Sequence, residues 1–269
     1  IPPSTGLSGS NVFWDNIGNM RNYGVEFSIN TVNINNRSLD FSWRSSFNFS
    51  WNDNEVENLT SNLDRAGAGI INGSQITRSG GRLNAYFMAD YAGIDPERGV
   101  EMIWEIDRDH YKETGETVKT GQKIPATLSN VRNHRYIHQN KTPTPKFYGG
   151  LSNTFRFKNF QLSAKIVFSG GHYIQNYNRQ RVSFVHNGQN VILKDLMDKG
   201  WDFVEDKSQA EYPRIVWNST DNYAWDSDAN DGEGDWIEGP GIGNYSPETR
   251  IYDKYLYKGD YARLKDLRL

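Results

Sequence analysis

One stretch of strict two-residue periodicity constrains the fold of this chain more than any other feature. From Leu39 to Trp51 the odd positions read Leu, Phe, Trp, Ser, Phe, Phe, Trp, and the even positions read Asp, Ser, Arg, Ser, Asn, Ser. Successive side chains of a β-strand point to opposite faces, so the pattern predicts a long strand with one aromatic and one polar face. A sheet built from such strands needs a different environment on each side.

The same alternation recurs in shorter segments that are joined by short polar turns. Val25–Ile29 alternates between apolar and polar residues and reaches the first strand through the polar turn Asn35–Ser38. Two further alternating segments, Leu151–Phe157 and Phe160–Phe168, are separated only by the dipeptide Lys158-Asn159. Two polar residues between alternating runs predict a tight β-hairpin.

Two more strand predictions depend on weaker alternation. A hairpin is predicted from Tyr86–Ile94 to Val100–Ile106, around a turn at Asp95–Gly99. A last strand is predicted over Tyr261–Leu269. The chain then contains roughly seven strands, most of them connected as antiparallel neighbours.

Long connections alternate with the short turns along the chain. Connections longer than about 15 residues are uncommon in compact domains. Transmembrane β-barrels combine short periplasmic turns with long extracellular loops, and their strands cross the bilayer with about 9–11 residues. The pattern therefore favours an all-β fold, a transmembrane antiparallel β-barrel. Its extracellular loops would be Asp53–Leu83, Asp107–Lys146 and Gly171–Gly259.

The composition excludes several other classes of protein. The chain has no Cys, which rules out Cys-ligated zinc, thiol catalysis and disulfides. The formal net charge of −3 gives no global field that would attract nucleic acid. Aromatic residues make up 13% of the chain, too many for a disordered protein. No run of about 18–20 apolar residues is present, so no membrane-spanning helix is predicted.

Four segments, in this order, resemble motifs of the SusC-like TonB-dependent outer-membrane transporters of Bacteroidetes. Together they extend over almost the whole chain, and Ala262 is one departure, since the family usually has a larger residue there. The segments are NIGNMRNYGVE (Asn16–Glu26), YAGIDPERG (Tyr91–Gly99), TPKFYGGLSNTF (Thr144–Phe155, continuing to Ser163) and GDYARLKDLRL (Gly259–Leu269).

This resemblance implies a fold, a location and a set of partners. The whole protein would be a 22-stranded barrel plugged by an N-terminal domain, and residues 1–269 would be its C-terminal portion, without the plug domain and the final strand. The expected function is import of a glycan or peptide nutrient across the outer membrane, in contact with its lipid. A SusD-like surface lipoprotein would cap the barrel, and the TonB complex would act through the missing N-terminal part. Neither enzymatic activity, nor a cofactor, nor a nucleic-acid partner is expected.

Two other readings remain open from the sequence. A soluble or surface carbohydrate-binding β-sandwich also alternates apolar and polar residues along its strands. A complete small porin-like channel would need an even, contiguous set of closed strands. In the barrel interpretation, Trp43 and Trp51 are candidates for the lipid-facing side and its aromatic girdle.

Four tryptophans in the last long connection are the candidate binding residues. Large aromatic side chains supply much of the binding energy at interfaces, so these residues could form an extracellular platform for a ligand or for the partner lipoprotein. Alternatively, they pack the loop onto itself. The residues are Trp201, Trp217, Trp225 and Trp236.

No metal site is predicted. His134 and His138 are four residues apart, but no helical pattern surrounds them, which favours solvated loop histidines. The acidic run 226–235 does not match an EF-hand loop, because Asp231 and Ile237 occupy the positions that require Gly and Glu. A solvated acidic loop is the preferred interpretation, and a calcium site of another kind is the alternative.

Overall fold

The computed structural model describes residues 16–60, 63, 69–126, 128–138, 140–183, 193–215, 223–225, 236–238 and 251–269. Within these ranges the strands are β1 (Gly18–Asn36), β2 (Phe41–Leu59), β3 (Ile70–Asn72), β4 (Gln75–Thr77), β5 (Ala85–Ala89), β6 (Tyr91–Ile94), β7 (Glu101–Ile106), β8 (Lys119–Pro125), β9 (Arg135–His138), β10 (Phe147–Phe157), β11 (Phe160–Gly170), β12 (Tyr173–Gln175), β13 (Tyr223–Trp225), β14 (Trp236–Glu238), β15 (Leu256–Lys258) and β16 (Tyr261–Arg268). The α-helices are α1 (Arg108–Thr114), α2 (Leu128–Asn133), α3 (Tyr177–Val182) and α4 (Lys194–Lys199). Among the described residues, no helix has the length and apolarity needed to span a membrane.

The largest sheet contains the five strands with the clearest alternation. All its pairs are antiparallel, in the order β1-β2-β10-β11-β16. The predicted strands at Val25–Ile29, Leu39–Trp51, Leu151–Phe157, Phe160–Phe168 and Tyr261–Leu269 are thereby confirmed. Strands β1 and β2 each run for 19 residues, well beyond the predicted segments.

Both short turns of this sheet lie at one end. Residues 37–40 join β1 to β2, and Lys158-Asn159 joins β10 to β11. The two turns touch, because the Lys158 amide donates a hydrogen bond of 2.9 Å to the Asp40 carbonyl oxygen. The connections from β2 to β10 and from β11 to β16 leave from the opposite end. This is the asymmetry of turns and loops that the sequence predicted.

One face of the five-stranded sheet, which we call the apolar face, is covered by aromatic and aliphatic side chains. The cross-strand register aligns them in rows; Ile29, Phe47, Leu151 and Ile166 form one of these rows. Neighbouring rings pack across the strands, as Phe49 does with Phe147 and Phe168. Strands β10 and β11 are 11 residues long, the length that crosses a bilayer when tilted.

The apolar face contains one hydrogen-bonded polar cluster. The Asn153 Oδ1 accepts from Trp43 Nε1 at 3.0 Å and from Ser45 Oγ at 2.6 Å. Asn33 donates to Ser45 Oγ at 2.6 Å and accepts from Thr31 Oγ1 at 2.8 Å. Each of these polar groups therefore has a hydrogen-bond partner within the cluster. Polar side chains need such partners where water is absent.

The weaker hairpin prediction is only partly correct, and it does not belong to this sheet. Strands β6 and β7 do pair around the turn after Ile94, but β5 pairs with β4 and β9 instead. All five residues of β5 are buried, so both of its faces are covered and the alternation disappears. Among the described residues, the main sheet therefore contains five strands, and not the roughly seven that the sequence predicted.

The long connections also differ from the predicted solvated loops. Much of their described length folds into a second unit, which we define as residues 69–126, 128–138, 140–142, 173–183, 193–215 and 251–258. Its strands form one four-stranded, one three-stranded and one two-stranded sheet, and its four short α-helices make the fold mostly β instead of all-β. Its main hydrophobic core joins both connections, because Met88 and Ile103 pack with Ile251, Tyr252 and Tyr255.

Gly149 lies at a tight point of the apolar face and supports a first prediction. A Cβ added there would overlap the Asn48 carbonyl oxygen and lie 2.6 Å from Cζ of Phe168. We expect Gly149→Ala to destabilise the sheet by about 1–3 kcal/mol, as overpacking does. The measurement is denaturant unfolding of the protein.

The neighbouring glycine provides the matched control. A Cβ at Gly150 would lie 3.3 Å from the side-chain Oδ1 of Asn48, 3.4 Å from the Ile166 carbonyl oxygen and 3.9 Å from Cγ1 of Val167. Gly150→Ala should therefore shift the unfolding midpoint much less. Equal shifts for the two variants would contradict the tight packing at Gly149.

Candidate functional site

The second face of the five-stranded sheet, which we call the polar face, contains a shallow cavity. One row across the strands consists of Glu26, Ser50, Tyr148, Ser169 and Tyr261. The central residue of the next row is Gly150. Because glycine has no side chain, open space remains above the sheet at this position. The cavity has a volume of about 650 Å³, and the residues that line it from the polar face are Glu26, Ser28, Asn48, Ser50, Tyr148, Gly150, Lys165, Val167, Tyr261 and Lys265.

A β-bulge brings Lys265 into this cavity. The pairing of β11 with β16 shifts between Lys165 and Ile166, so that Asp266 lies opposite Lys165 and Leu264 lies opposite Ile166. Lys265 is the additional residue at this shift. As a result, two lysines from neighbouring strands line the same cavity.

A second polar cluster is buried in the second unit. The Glu101 side chain is fully buried, and Lys254 Nζ donates to its Oε1 at 2.6 Å. The Tyr252 hydroxyl donates to the other carboxylate oxygen. Lys254 also donates to the Glu211 carbonyl oxygen at 2.8 Å.

Aromatic rings surround the Lys254 ammonium group. Its nitrogen lies 4.6 Å from the ring centroid of Tyr91, 5.3 Å from that of Tyr212 and 5.6 Å from that of Tyr255. These distances are within the range of cation–π attraction. Burial, reinforced by the Glu101 carboxylate, raises the pKa of Tyr91 far above its ordinary value, so its hydroxyl stays protonated. This cluster joins the connection between β2 and β10 to the connection between β11 and β16, which gives it a structural role.

The structure describes one of the four predicted binding tryptophans in full. Trp201 Nε1 donates to the Pro96 carbonyl oxygen at 2.8 Å, and Lys207 Nζ lies 4.6 Å from the Trp201 ring centroid. The ring also covers Gly99, where an added Cβ would lie 2.8 Å from Cδ2 of Trp201. Trp201 thus packs on the turn between β6 and β7. Its role as a binding platform stays a prediction.

The other three tryptophans are only partly described. The backbones of Trp225 and Trp236 lie opposite each other in the antiparallel pair of β13 and β14. Trp217 lies outside the described residues, and so does the acidic run 226–235.

The packing of Trp201 supports a second prediction. Trp201→Ala removes a hydrogen bond and the ring that covers the turn, so we expect a local destabilisation of about 1–3 kcal/mol. The measurement is the rate of tryptic cleavage after Arg98 in the folded protein, which should rise. Lys112→Gln removes an exposed lysine that pairs with Asp109, away from this turn, and should leave this rate nearly unchanged. If Trp201→Ala leaves the cleavage rate unaltered but abolishes ligand uptake, the result would instead support the predicted role of Trp201 in a binding platform.

The two spaced histidines occupy separate environments. His134 follows α2 and its Nδ1 accepts from the Ile106 amide at 3.3 Å, whereas His138 ends β9. Both side chains are buried, so the prediction of solvated loop histidines is wrong. Burial lowers the pKa of both imidazoles. The described residues contain no group of three or more His, Cys, Asp or Glu that could hold a metal ion.

Two curated proteins are similar to this chain. The TonB-dependent receptor P3 of Formosa agariphila is 27% identical over 287 residues, which cover 99% of this chain and 23% of the relative. The TonB-dependent receptor SusC of Bacteroides thetaiotaomicron is 29% identical over 190 residues, covering 67% of this chain and 16% of that protein. The chain thus spans less than a quarter of the length of these relatives. No family model matches the sequence.

Solved structures share the fold. A structure of the RagAB peptide transporter matches with a TM-score of 0.64 and 22% identity, covering 98% of this chain and 24% of that chain. The RagAB peptide importer in its closed-closed state matches with a TM-score of 0.65 over the same shares. Together with the curated relatives, these matches confirm the resemblance that the four motifs indicated. The chain is therefore similar to TonB-dependent receptors of the SusC type and shares its fold with the RagAB transporter structures.

Proposed function

We propose that the five-stranded sheet is part of the wall of a closed, 22-stranded transmembrane barrel, and that this chain supplies the C-terminal portion of that barrel. The apolar face would contact lipid and the polar face would line the lumen. Three observations support this: the two-faced register, the 11-residue strands and the position of both long connections at one end. Within the described part of the chain, β1 and β16 are the outermost strands of this sheet, and further strands of the barrel would pair with their outer edges.

In the same proposal, the second unit lies on the extracellular side. The short turns at residues 37–40 and 158–159 would be periplasmic, because barrels of this kind have short turns on that side. The three hydrophobic clusters of the described residues include no side chain of the apolar face. A β-sandwich would bury that face under a second sheet, so this observation favours the barrel.

The proposed activity is energy-dependent nutrient import. The whole protein would carry a glycan or a peptide through the barrel, capped by a SusD-like lipoprotein and driven by the TonB complex through an N-terminal plug domain. The relatives named TonB-dependent receptor and the RagAB peptide importer support this reading. The observation that carries it is the two-faced five-stranded sheet with both long connections at one end.

Uptake by intact cells tests this proposal. Cells that produce the full-length receptor and its partner would be given a panel of fluorescently labelled oligosaccharides and oligopeptides. We expect accumulation of at least one class, lost when either the receptor or TonB is deleted. Recovery of the protein in a water-soluble fraction, with uptake unaffected by its deletion, would overturn the proposal.

A further inference from the structure

The polar face carries an excess of positive charge. Between the rows that contain Ser42 and Ser50 there are two acidic residues, Glu26 and Asp266, and Asp266 is paired with Arg268 at 2.9 Å. The basic residues on the same part of the face are Arg44, Arg156, Lys165, Arg263, Lys265 and Arg268.

The two cavity lysines have no counter-ion within the described part of the chain. Neither Lys165 nor Lys265 takes part in an ion pair there, and each has an exposed side chain. The second unit differs, because its buried or half-buried bases pair with acids, as Lys254 does with Glu101 and Lys141 with Asp253. Positive charge in a narrow, low-dielectric channel attracts anions more strongly than the same charge on an open surface.

The other lining groups suit a hydroxyl-rich ligand. Ser28, Asn48 and Ser50 offer short polar side chains, while Tyr148 and Tyr261 are about half-exposed on either side of Ser169. Val167 is the one aliphatic residue among those that line this cavity, and the phenylalanines Phe27 and Phe168 line it as well. An oligopeptide with apolar side chains would need several apolar pockets, whereas a saccharide needs hydrogen bonds and flat rings.

We propose that this cavity is a lumenal subsite for an anionic saccharide. Lys165 and Lys265 would pair with its carboxylate or sulfate groups, the serines and Asn48 would bind its hydroxyls, and the tyrosine rings would flank the sugar. This inference rests on the proposed function, because the polar face lines a lumen only in a closed barrel. It deepens that function by assigning the chemical class of the transported solute.

The test uses the full-length receptor with its partner, in cells, and the double variant Lys165→Gln/Lys265→Gln. The labelled probes are a sulfated oligosaccharide, its desulfated counterpart, an oligouronate and an acidic oligopeptide. We expect uptake of the anionic saccharides at limiting concentration to fall about 5–10-fold, the effect of losing two solvent-accessible ion pairs. Uptake of the neutral oligosaccharide should be unchanged. The matched control is Lys158→Gln, which removes a lysine from the short turn, outside the cavity.

The arms of the experiment separate the possible results. A loss confined to the sulfated or to the uronate probe supports the subsite and identifies its anion. Equal losses for neutral and anionic saccharides indicate a structural role and overturn the inference, and so does a loss seen only with the acidic peptide. If the wild-type receptor reaches the outer membrane but imports no probe, the proposed function fails as well, whatever the variant does.

Discussion

Replacing Lys254 by Met is expected to destabilise the second unit by about 3–5 kcal/mol, because it leaves a buried carboxylate without its cation. The Glu101 side chain has no solvent exposure and that of Lys254 has 13%. After the substitution, Tyr252 remains the one hydrogen-bond donor to Glu101 among the contacts described above. Hydrogen exchange of β5, β7 and residues 251–258 in the full-length receptor measures this effect, and protection there should fall.

Two further variants control this prediction. Lys112→Met breaks an exposed ion pair with Asp109, whose side chains are 64% and 88% exposed, and such pairs contribute at most about 1 kcal/mol. The double variant Glu101→Gln/Lys254→Met removes both charges and should regain part of the lost protection. If Lys254→Met and Lys112→Met change exchange equally, the buried pair does not stabilise the contact between the two connections.

The long strands of the main sheet could be predicted because each has two different environments. From Phe41 to Trp51 the apolar and polar residues alternate almost without interruption, and the structure places them on opposite faces. The short turns before β2 and after β10 follow from the same pattern. The placement of Trp43 and Trp51 on the apolar face is confirmed, while their membership of an aromatic girdle stays a prediction.

Apart from the pairing of β6 with β7, the second unit could not be predicted, because its contacts join distant parts of the chain without a local pattern. Strand β5 is buried on both faces, and β6 and β7 are four and six residues long, so alternation carries little information. Glu101 and Lys254 are 153 residues apart. A lone Glu and a lone Lys in a sequence give no sign that they meet.

The cavity of the polar face could be predicted only in part. Alternation places Glu26 and Lys165 on polar faces of their strands, but it does not give the register between β11 and β16. The bulge at Lys265 changes which residues of β16 point to each side. A glycine pair such as Gly149-Gly150 is typical of a bend or a close approach of strands, and the structure has a close approach at Gly149.

An arginine placed on the apolar face should have a second large effect. Leu151 lies in the row with Phe47 and Ile166, near the middle of the apolar rows. If this face contacts lipid, Leu151→Arg places a charge near the bilayer midplane and should destabilise the folded barrel by about 2–4 kcal/mol. The measurement is denaturant unfolding of the full-length receptor in liposomes, where the equilibrium midpoint should fall.

Ser46→Arg is the control that makes this result specific to one face. Ser46 points to the polar face, opposite Asn30 and Ser152, at nearly the same height along the strands. A lumen that contains water would solvate the new guanidinium group, so the midpoint should change by less than about 1 kcal/mol. If Ser46→Arg is the more damaging variant, the two faces are assigned the wrong way round. Equal damage would instead indicate that both faces are buried, as in a sandwich, and the barrel wall would have to be abandoned.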